Sequence, residues 1–144
     1  MTNYPIRDAN ADDFETIKQM VKDARLDPLG LKWQNFLVVE HDGQIIAIAQ
    51  IRRHRGCNEL GSLITLHDYQ KQGIAGQLMS KIEKRTGSPL YLVCMNKMKP
   101  YYERYGYQEI RWHEIPNSLR VKLAPAMPLR LFGIRVIAMR KTWI

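Results

Sequence analysis

The chain has 144 residues, 45% hydrophobic and 25% charged, with a formal net charge of +8. That composition excludes a disordered or fibrous chain, and the length fits one core-bearing domain over residues 1–144. No run nears the ~20 apolar residues of a membrane-spanning helix, and the first residues lack the apolar stretch of a secretion signal, so no membrane association is expected.

Residues 4–9, "YPIRDA", read as a short strand. A helix is predicted from "NADDFETIKQMVKDA": Asn10 can cap it, acids occupy the first turn, and Phe14, Ile17, Met20 and Val21 recur on one face. Residues 25–34, with Pro28 and Gly30, are expected to form a loop or a short broken helix. In "NFLVVEHDGQIIAIAQI" two apolar, β-branched runs flank Asp42-Gly43, which predicts a β-hairpin. "RRHRGC" is a second turn, and "NELGSLITL" a third strand antiparallel to the second. A second helix carries Ile74, Leu78, Met79 and Ile82 on one face and stops at Gly87. "LYLVCM" is a buried strand, "KPYYERYGY" a short helix ended by Gly106, and "YQEIRWHEI" another strand. Residues 116–132 contain three prolines and predict a loop with a short helix, within a variable segment over 116–133. "IRVIAMRKTW" closes the chain as a strand. The predicted fold class is α/β, with a single mixed, mostly antiparallel central sheet flanked by helices.

The stretch "DYQKQGIAGQ" places Gln70, Gly73, Ala75 and Gly76 at the start of the second helix. The first N–H groups of a helix have no intrahelical partner and carry the positive end of its dipole, and small residues let an anion approach them. Neither GxxxxGK[ST] nor GxGxxG is present, and an unoccupied strand-to-helix turn satisfies the same spacing.

Two landmarks give the stretch a context. Gln70-x-x-Gly73-x-Ala75, after a strand and before an amphipathic helix, resembles the acyl-CoA signature Q/R-x-x-G-x-G/A of the GNAT family of N-acetyltransferases. "YYERYGYQEI" resembles that family's second landmark, a short helix ending in Tyr-x-x-x-Gly-aromatic and leading into a strand. The order of elements fits from Tyr4 to about Trp112, and the residues from Asn117 onward match least. The resemblance implies acetyl-CoA as co-substrate. It also implies direct acetyl transfer to a primary amine in a ternary complex, with a small molecule or peptide as acceptor.

It further implies roles for particular residues. Gln70 and the amides of Lys71, Gln72, Gly73, Ile74, Ala75 and Gly76 would hold the pyrophosphate of coenzyme A. Leu63, Ile64 and Thr65 would pair with its pantetheine arm and offer a backbone N–H to the thioester oxygen. Tyr102, with Tyr101 as second candidate, stands where family members protonate the departing thiolate; a phenol near ~10 and a thiol near ~8.5 suit that transfer. Glu59, eleven positions before Gln70, stands where several members place a base, and reads otherwise as a salt-bridge partner of Arg52, Arg53 or Arg55. Asn96 is either the N-cap of the landmark helix or a cofactor contact. Lys71 offers charge to the phosphates, whereas Lys81 reads as an exposed helix lysine. Cys94 reads as a small core residue and Phe36 as packing. Trp33 either packs or lines an acceptor pocket; Asp23 and Asp27 either attract a cationic amine or are solvated.

The four histidines show no metal-ligand spacing, so no metal is expected. Cys57 and Cys94 form no CxxC, which predicts a reducing, cytoplasmic setting. After Ile110 seven Lys/Arg face one acid, Glu114, a balance that suits an acidic partner or a solvated face. A basic nucleic-acid-binding domain ranks last among the readings, because aromatic residues there are sparse and no recognised binding motif occurs. A non-catalytic acyl-CoA-binding module is the alternative to an enzyme, and "LAPAMPLRLF" makes a homodimer a candidate assembly.

Overall fold

The computed structural model describes residues 3–144. It divides into two compact units, one of Met1–Arg52 with Leu60–Lys84, the other of Arg53–Glu59 with Arg85–Ile144.

In the first unit, β1 (Ile6–Asp8) pairs antiparallel with β2 (Phe36–His41), and β2 with β3 (Gln44–His54). Asp42 and Gly43 both take positive φ, 51° and 76°, the backbone that a two-residue hairpin turn needs to match the twist of its strands. The register shifts between Val39 and Glu40, a bulge that lets Glu40 turn toward Arg7. Ile45 to Ile51 of β3 are all buried, the mark of a strand covered on both faces. α1 (Phe14–Asp23) lays Ile17, Met20 and Val21 against Phe36, Val38 and Ile48. Full burial of a side chain such as Ile17 contributes about 1.5–3 kcal/mol. Asn10 does cap the helix start. Its side chain accepts from the Asp12 amide at 3.0 Å while Asp13 reaches back to the Asn10 amide at 2.8 Å, a capping box closing a 3₁₀ turn ahead of α1. β4 (Cys57–Thr65) follows the Arg55-Gly56 turn, and α2 (Ile74–Thr86) buries Ile74, Leu78, Met79 and Ile82 as expected.

In the second unit, β5 (Leu90–Met95) pairs antiparallel with β7 (Val136–Lys141) along its whole length. α3 (Lys99–Glu103) begins with Pro100 in its first turn, where the missing N–H is harmless. β6 (Gln108–Glu109) is much shorter than the strand expected over 107–115. Ile110 and Ile115 are five positions apart, so a continuous strand would send them to opposite faces. A 3₁₀ turn at Trp112–Glu114 instead brings both into one cluster with Tyr91, Ala138 and the Leu119 and Leu123 of α4 (Asn117–Leu123). The proline-bearing run Ala124–Phe132 is a nine-residue 3₁₀ helix, since prolines cannot donate to an α ladder, and it ends at Gly133 with φ 78°. The seven strands form one mixed sheet in the order β1-β2-β3-β4-β5-β7-β6, with helices flanking it.

Candidate active site

The glycine segment lies in the first unit and is built from two left-handed residues, Lys71 (φ 64°) and Gly73 (φ 85°). The first α-type bond of α2 runs from the Gln77 N–H to the Gly73 carbonyl at 3.1 Å. The amides of Ile74, Ala75 and Gly76 therefore precede the ladder and point out of the helix N-terminus. Ile74 itself is anchored by its buried side chain, so the residue serves the core with its side chain and the loop with its amide. Gln70 and Gln72 brace the loop. Gln70 Nε2 donates to the Thr65 carbonyl at 3.0 Å, and the Gln72 side-chain Oε1 accepts from the Tyr4 hydroxyl at 3.2 Å. Lys71 and Lys81 are exposed.

β4 carries two features that sequence reasoning missed. Ser62 is left-handed at φ 49°, a strained backbone for a residue with a Cβ, and it sits immediately before Leu63. Its hydroxyl reaches Gln50 Oε1 at 3.4 Å, which holds the kink. Three residues on, the Thr65 hydroxyl is buried with no hydrogen-bond partner among the described residues. An unsatisfied buried hydroxyl costs about 1–3 kcal/mol. Ile64 packs on the α1 cluster, so Leu63 to Thr65 is anchored by one side chain. Neither feature has a local sequence signal: serine is not a left-handed residue by type, and an orphaned hydroxyl is a property of surroundings.

The loop ahead of β2 is pinned by Arg52, whose guanidinium donates to the carbonyls of Leu29 (2.8 Å) and Asp27 (3.4 Å). A Cβ on Gly61 would meet Arg52 Nε at 2.7 Å, so glycine there makes room for the arginine. Asp23 accepts from Gln19 and Asp27 from the Leu29 amide. Phe36 is core, and Trp33 packs half-buried against the same cluster.

In the second unit the four tyrosines around α3 separate by environment. Tyr107 is fully buried, while Tyr101 packs against Tyr105 with the rings tilted and 5.4 Å apart, and lies under Arg104 at 5.3 Å. Tyr102 packs edge-on against Tyr101 and Tyr107. Burial first, then Cys94 and Tyr101 nearby, raise the Tyr102 hydroxyl well above the ordinary phenol value, so it holds its proton at neutral pH. Burial pushes Tyr101 up to about 12. It pushes the Cys94 thiol up to about 11, which suits a core residue and not a nucleophile. Asn96 does not cap the landmark helix. The 3₁₀ turn it opens and α3 itself lack any side-chain cap, and its backbone N–H donates to the Arg135 carbonyl at 2.8 Å.

Glu59 is 2% exposed and engaged on both oxygens. His54 Nε2 lies 2.7 Å from Oε1, and Lys122 Nζ lies 2.9 Å from Oε1 and 2.7 Å from Oε2. Its partners are thus His54 and Lys122, not Arg52, Arg53 or Arg55. Lys122 comes from α4, 63 residues along the chain, a pairing that only the fold brings about.

Among the described residues no helix is long and apolar enough to cross a membrane. The profile of an acetyltransferase (GNAT) domain matches residues 32–109. N-acetylglutamate synthase from Neisseria gonorrhoeae, complexed with coenzyme A and N-acetyl-glutamate, superimposes with a TM-score of 0.78 at 19% identity, covering 99% of this chain and 35% of that one. The chain thus spans about a third of that protein's length. Rv2747 from Mycobacterium tuberculosis, in complex with CoA and NLQ, gives 0.77 at 15% identity, covering 97% of this chain and 99% of that one. An acyl-CoA N-acyltransferase from Pseudomonas aeruginosa gives 0.64 at 18% identity, covering 97% and 99%. At such identities the likeness is one of fold. The profile is the stronger finding, because it covers more than half of the chain and includes both the Gln70–Gly76 loop and Tyr102–Tyr107. On that ground the chain belongs to the GNAT family of acyl-CoA N-acyltransferases.

Proposed function

We propose that the protein transfers an acetyl group from acetyl-CoA directly to a primary amine of a small molecule or peptide, within a ternary complex. The observation that carries this reading is the loop at the head of α2. Two left-handed residues, Lys71 and Gly73, precede three amides that the helix does not use. Such a loop suits a pyrophosphate, and Lys71 adds a cation to it. Leu63, Ile64 and Thr65 are proposed to pair with the pantetheine arm; the Ser62 kink and the orphaned Thr65 hydroxyl support a strand end made to take an outside partner. The relatives crystallised with coenzyme A support the choice of cofactor.

In the proposed reaction the neutral amine attacks the thioester carbon and the carbonyl oxygen becomes an oxyanion, stabilised by a backbone N–H of β4. The intermediate then collapses, the C–S bond breaks, and the thiolate takes the Tyr102 proton. The ammonium proton leaves toward Glu59. Both Glu59 oxygens are occupied, so His54, half-buried at 2.7 Å, hands that proton on to solvent, from which the Tyr102 phenolate recovers its own. Asn96, with no cap to make, is free to contact the cofactor.

Calorimetric titration with acetyl-CoA and CoA, for the wild type beside Gly73→Val, tests the reading. Binding by the wild type that is abolished in the variant supports the cradle. A wild type that binds neither ligand overturns it, and thiol release with an amine panel then tests transfer.

A further inference from the structure

The basic residues after Ile110 are mostly engaged within the second unit. Arg120 donates to the carbonyls of Trp112 (3.0 Å) and His113 (2.8 Å), and Lys122 is held by Glu59. Arg135 donates to Glu109 at 2.5 Å, Arg140 lies 3.6 Å from Glu114, and the Lys141 ammonium lies 5.7 Å from the Tyr107 ring centre. Arg111 and Arg130 remain, and neither guanidinium has a side-chain partner among the described residues.

Both of them line the same cavity, of about 120 Å³. Arg135 and Glu109 share its wall, and Glu109, its only acid, is already bound by Arg135 and by Lys99 at 3.1 Å. The lining therefore carries three arginines against one carboxylate, and Arg135 and Lys99 already answer that carboxylate. The lining also has apolar members: Ile110, Ile115, Leu123 and Ala138, which belong to the cluster packed with α4, together with Met127 and Trp112. A guanidinium fork matches a carboxylate in two parallel hydrogen bonds, and like charges brought together gain most from an anion placed between them. A bare phosphate would leave those apolar side chains uncovered. An amine or an amide of the same shape would leave the arginines unanswered.

We propose that this cavity is a binding site for a small carboxylate with a short hydrocarbon body, its carboxylate held by Arg111 and Arg130 and its body resting on Ile115, Leu123 and Ala138. The site rests on the second unit alone and does not depend on the acyl-transfer reading, so either can fail without the other.

The test is a titration of the ¹⁵N-labelled full chain with 3-methylbutanoate, its amide, the corresponding amine and inorganic phosphate, following the Trp112 indole N–H and the amides from Glu109 to Ala138. The acid is expected to shift these signals saturably, and the other three probes to bind at least about tenfold more weakly. Arg111→Ala and Arg130→Ala should each weaken the acid about tenfold or more, Arg111→Lys less, and Lys22→Ala on α1 not at all. Should an alanine variant lose its native spectrum, Arg111→Lys and Arg130→Lys carry the comparison. Absence of a saturable shift, equal binding of the amide, or indifference to both arginine variants overturns the proposal.

Discussion

Tyr102 and Glu59 are the residues on which chemistry and architecture compete. Tyr102 keeps its hydroxyl protonated because burial and the neighbouring Cys94 disfavour the phenolate, and a donor must hold its proton until the thiolate forms. Tyr102→Phe should lower kcat by about 10²-fold with unchanged affinity for CoA, since the ring packing is retained. The same raised value predicts that the rate profile shows no basic limb from this residue up to about pH 10, the ordinary phenol value. Glu59→Gln leaves the half-buried Lys122 ammonium without its carboxylate, and a stability loss of about 2 kcal/mol is expected in urea unfolding. If Glu59 also takes the amine proton, kcat/KM of that variant falls at neutral pH and recovers as the pH nears the amine's own pKa. A flat ratio of variant to wild type across pH would assign Glu59 to structure alone. The sequence marked Glu59 by its spacing from Gln70. Its partners were not legible, because His54 and Lys122 reach it across a turn and from a separate helix.

At the level of elements, local pattern and outcome agree wherever one segment decides its own geometry. The Asp42-Gly43 turn, the Asn10 cap and the buried face of α2 follow from residue type and period. They disagree where two distant residues must share one face, as at Ile110 and Ile115, where burial in a common cluster outweighs strand propensity. The loop ahead of β2 is held by Arg52, which bonds two of its carbonyls and fills the space over Gly61. Arg52→Ala should leave the core intact, costing about 1 kcal/mol or less, and raise amide exchange across residues 27–31. Faster exchange in α1 as well would mean that the arginine supports more than the loop. In α2, Gly73→Val forces a left-handed valine, so lost CoA binding should be accompanied by a measurable loss of stability.

For the molecule as a whole, acid and ligand are the two levers. Asp13 is mostly buried, and its hydrogen bonds from Arg7, aided by the Asn10 amide, outweigh desolvation and hold its carboxyl below the usual range. A lowered folded value means that its contribution is fully present above about pH 4 and is lost as the pH falls through the folded value. Urea midpoints measured from neutral to acid pH should therefore drop steeply at the acid end. Asp13→Asn should be less stable at neutral pH and show a shallower drop. A cofactor that binds only the folded chain should add about 2.7 kcal/mol at a hundred times its Kd, read as a rise in Tm with acetyl-CoA and absent in Gly73→Val.

The sequence by itself determined the Asp42-Gly43 hairpin, the strands and helices whose pattern is local, where the glycine loop meets α2, and which family the two landmarks resemble, but not the short β6 or the 3₁₀ run that follows α4. Those are local facts, carried by period, caps, turn residues and spacing. Tertiary structure alone decided the rest. It buried Tyr107, packed Tyr101 against Tyr105, raised the Tyr102 hydroxyl, gave Glu59 its histidine and lysine, left the Thr65 hydroxyl without a partner among the described residues, and placed Arg111 and Arg130 in the lining of one cavity. Each of these depends on how much water a group loses and which distant partner it meets instead, and neither quantity is written along the chain.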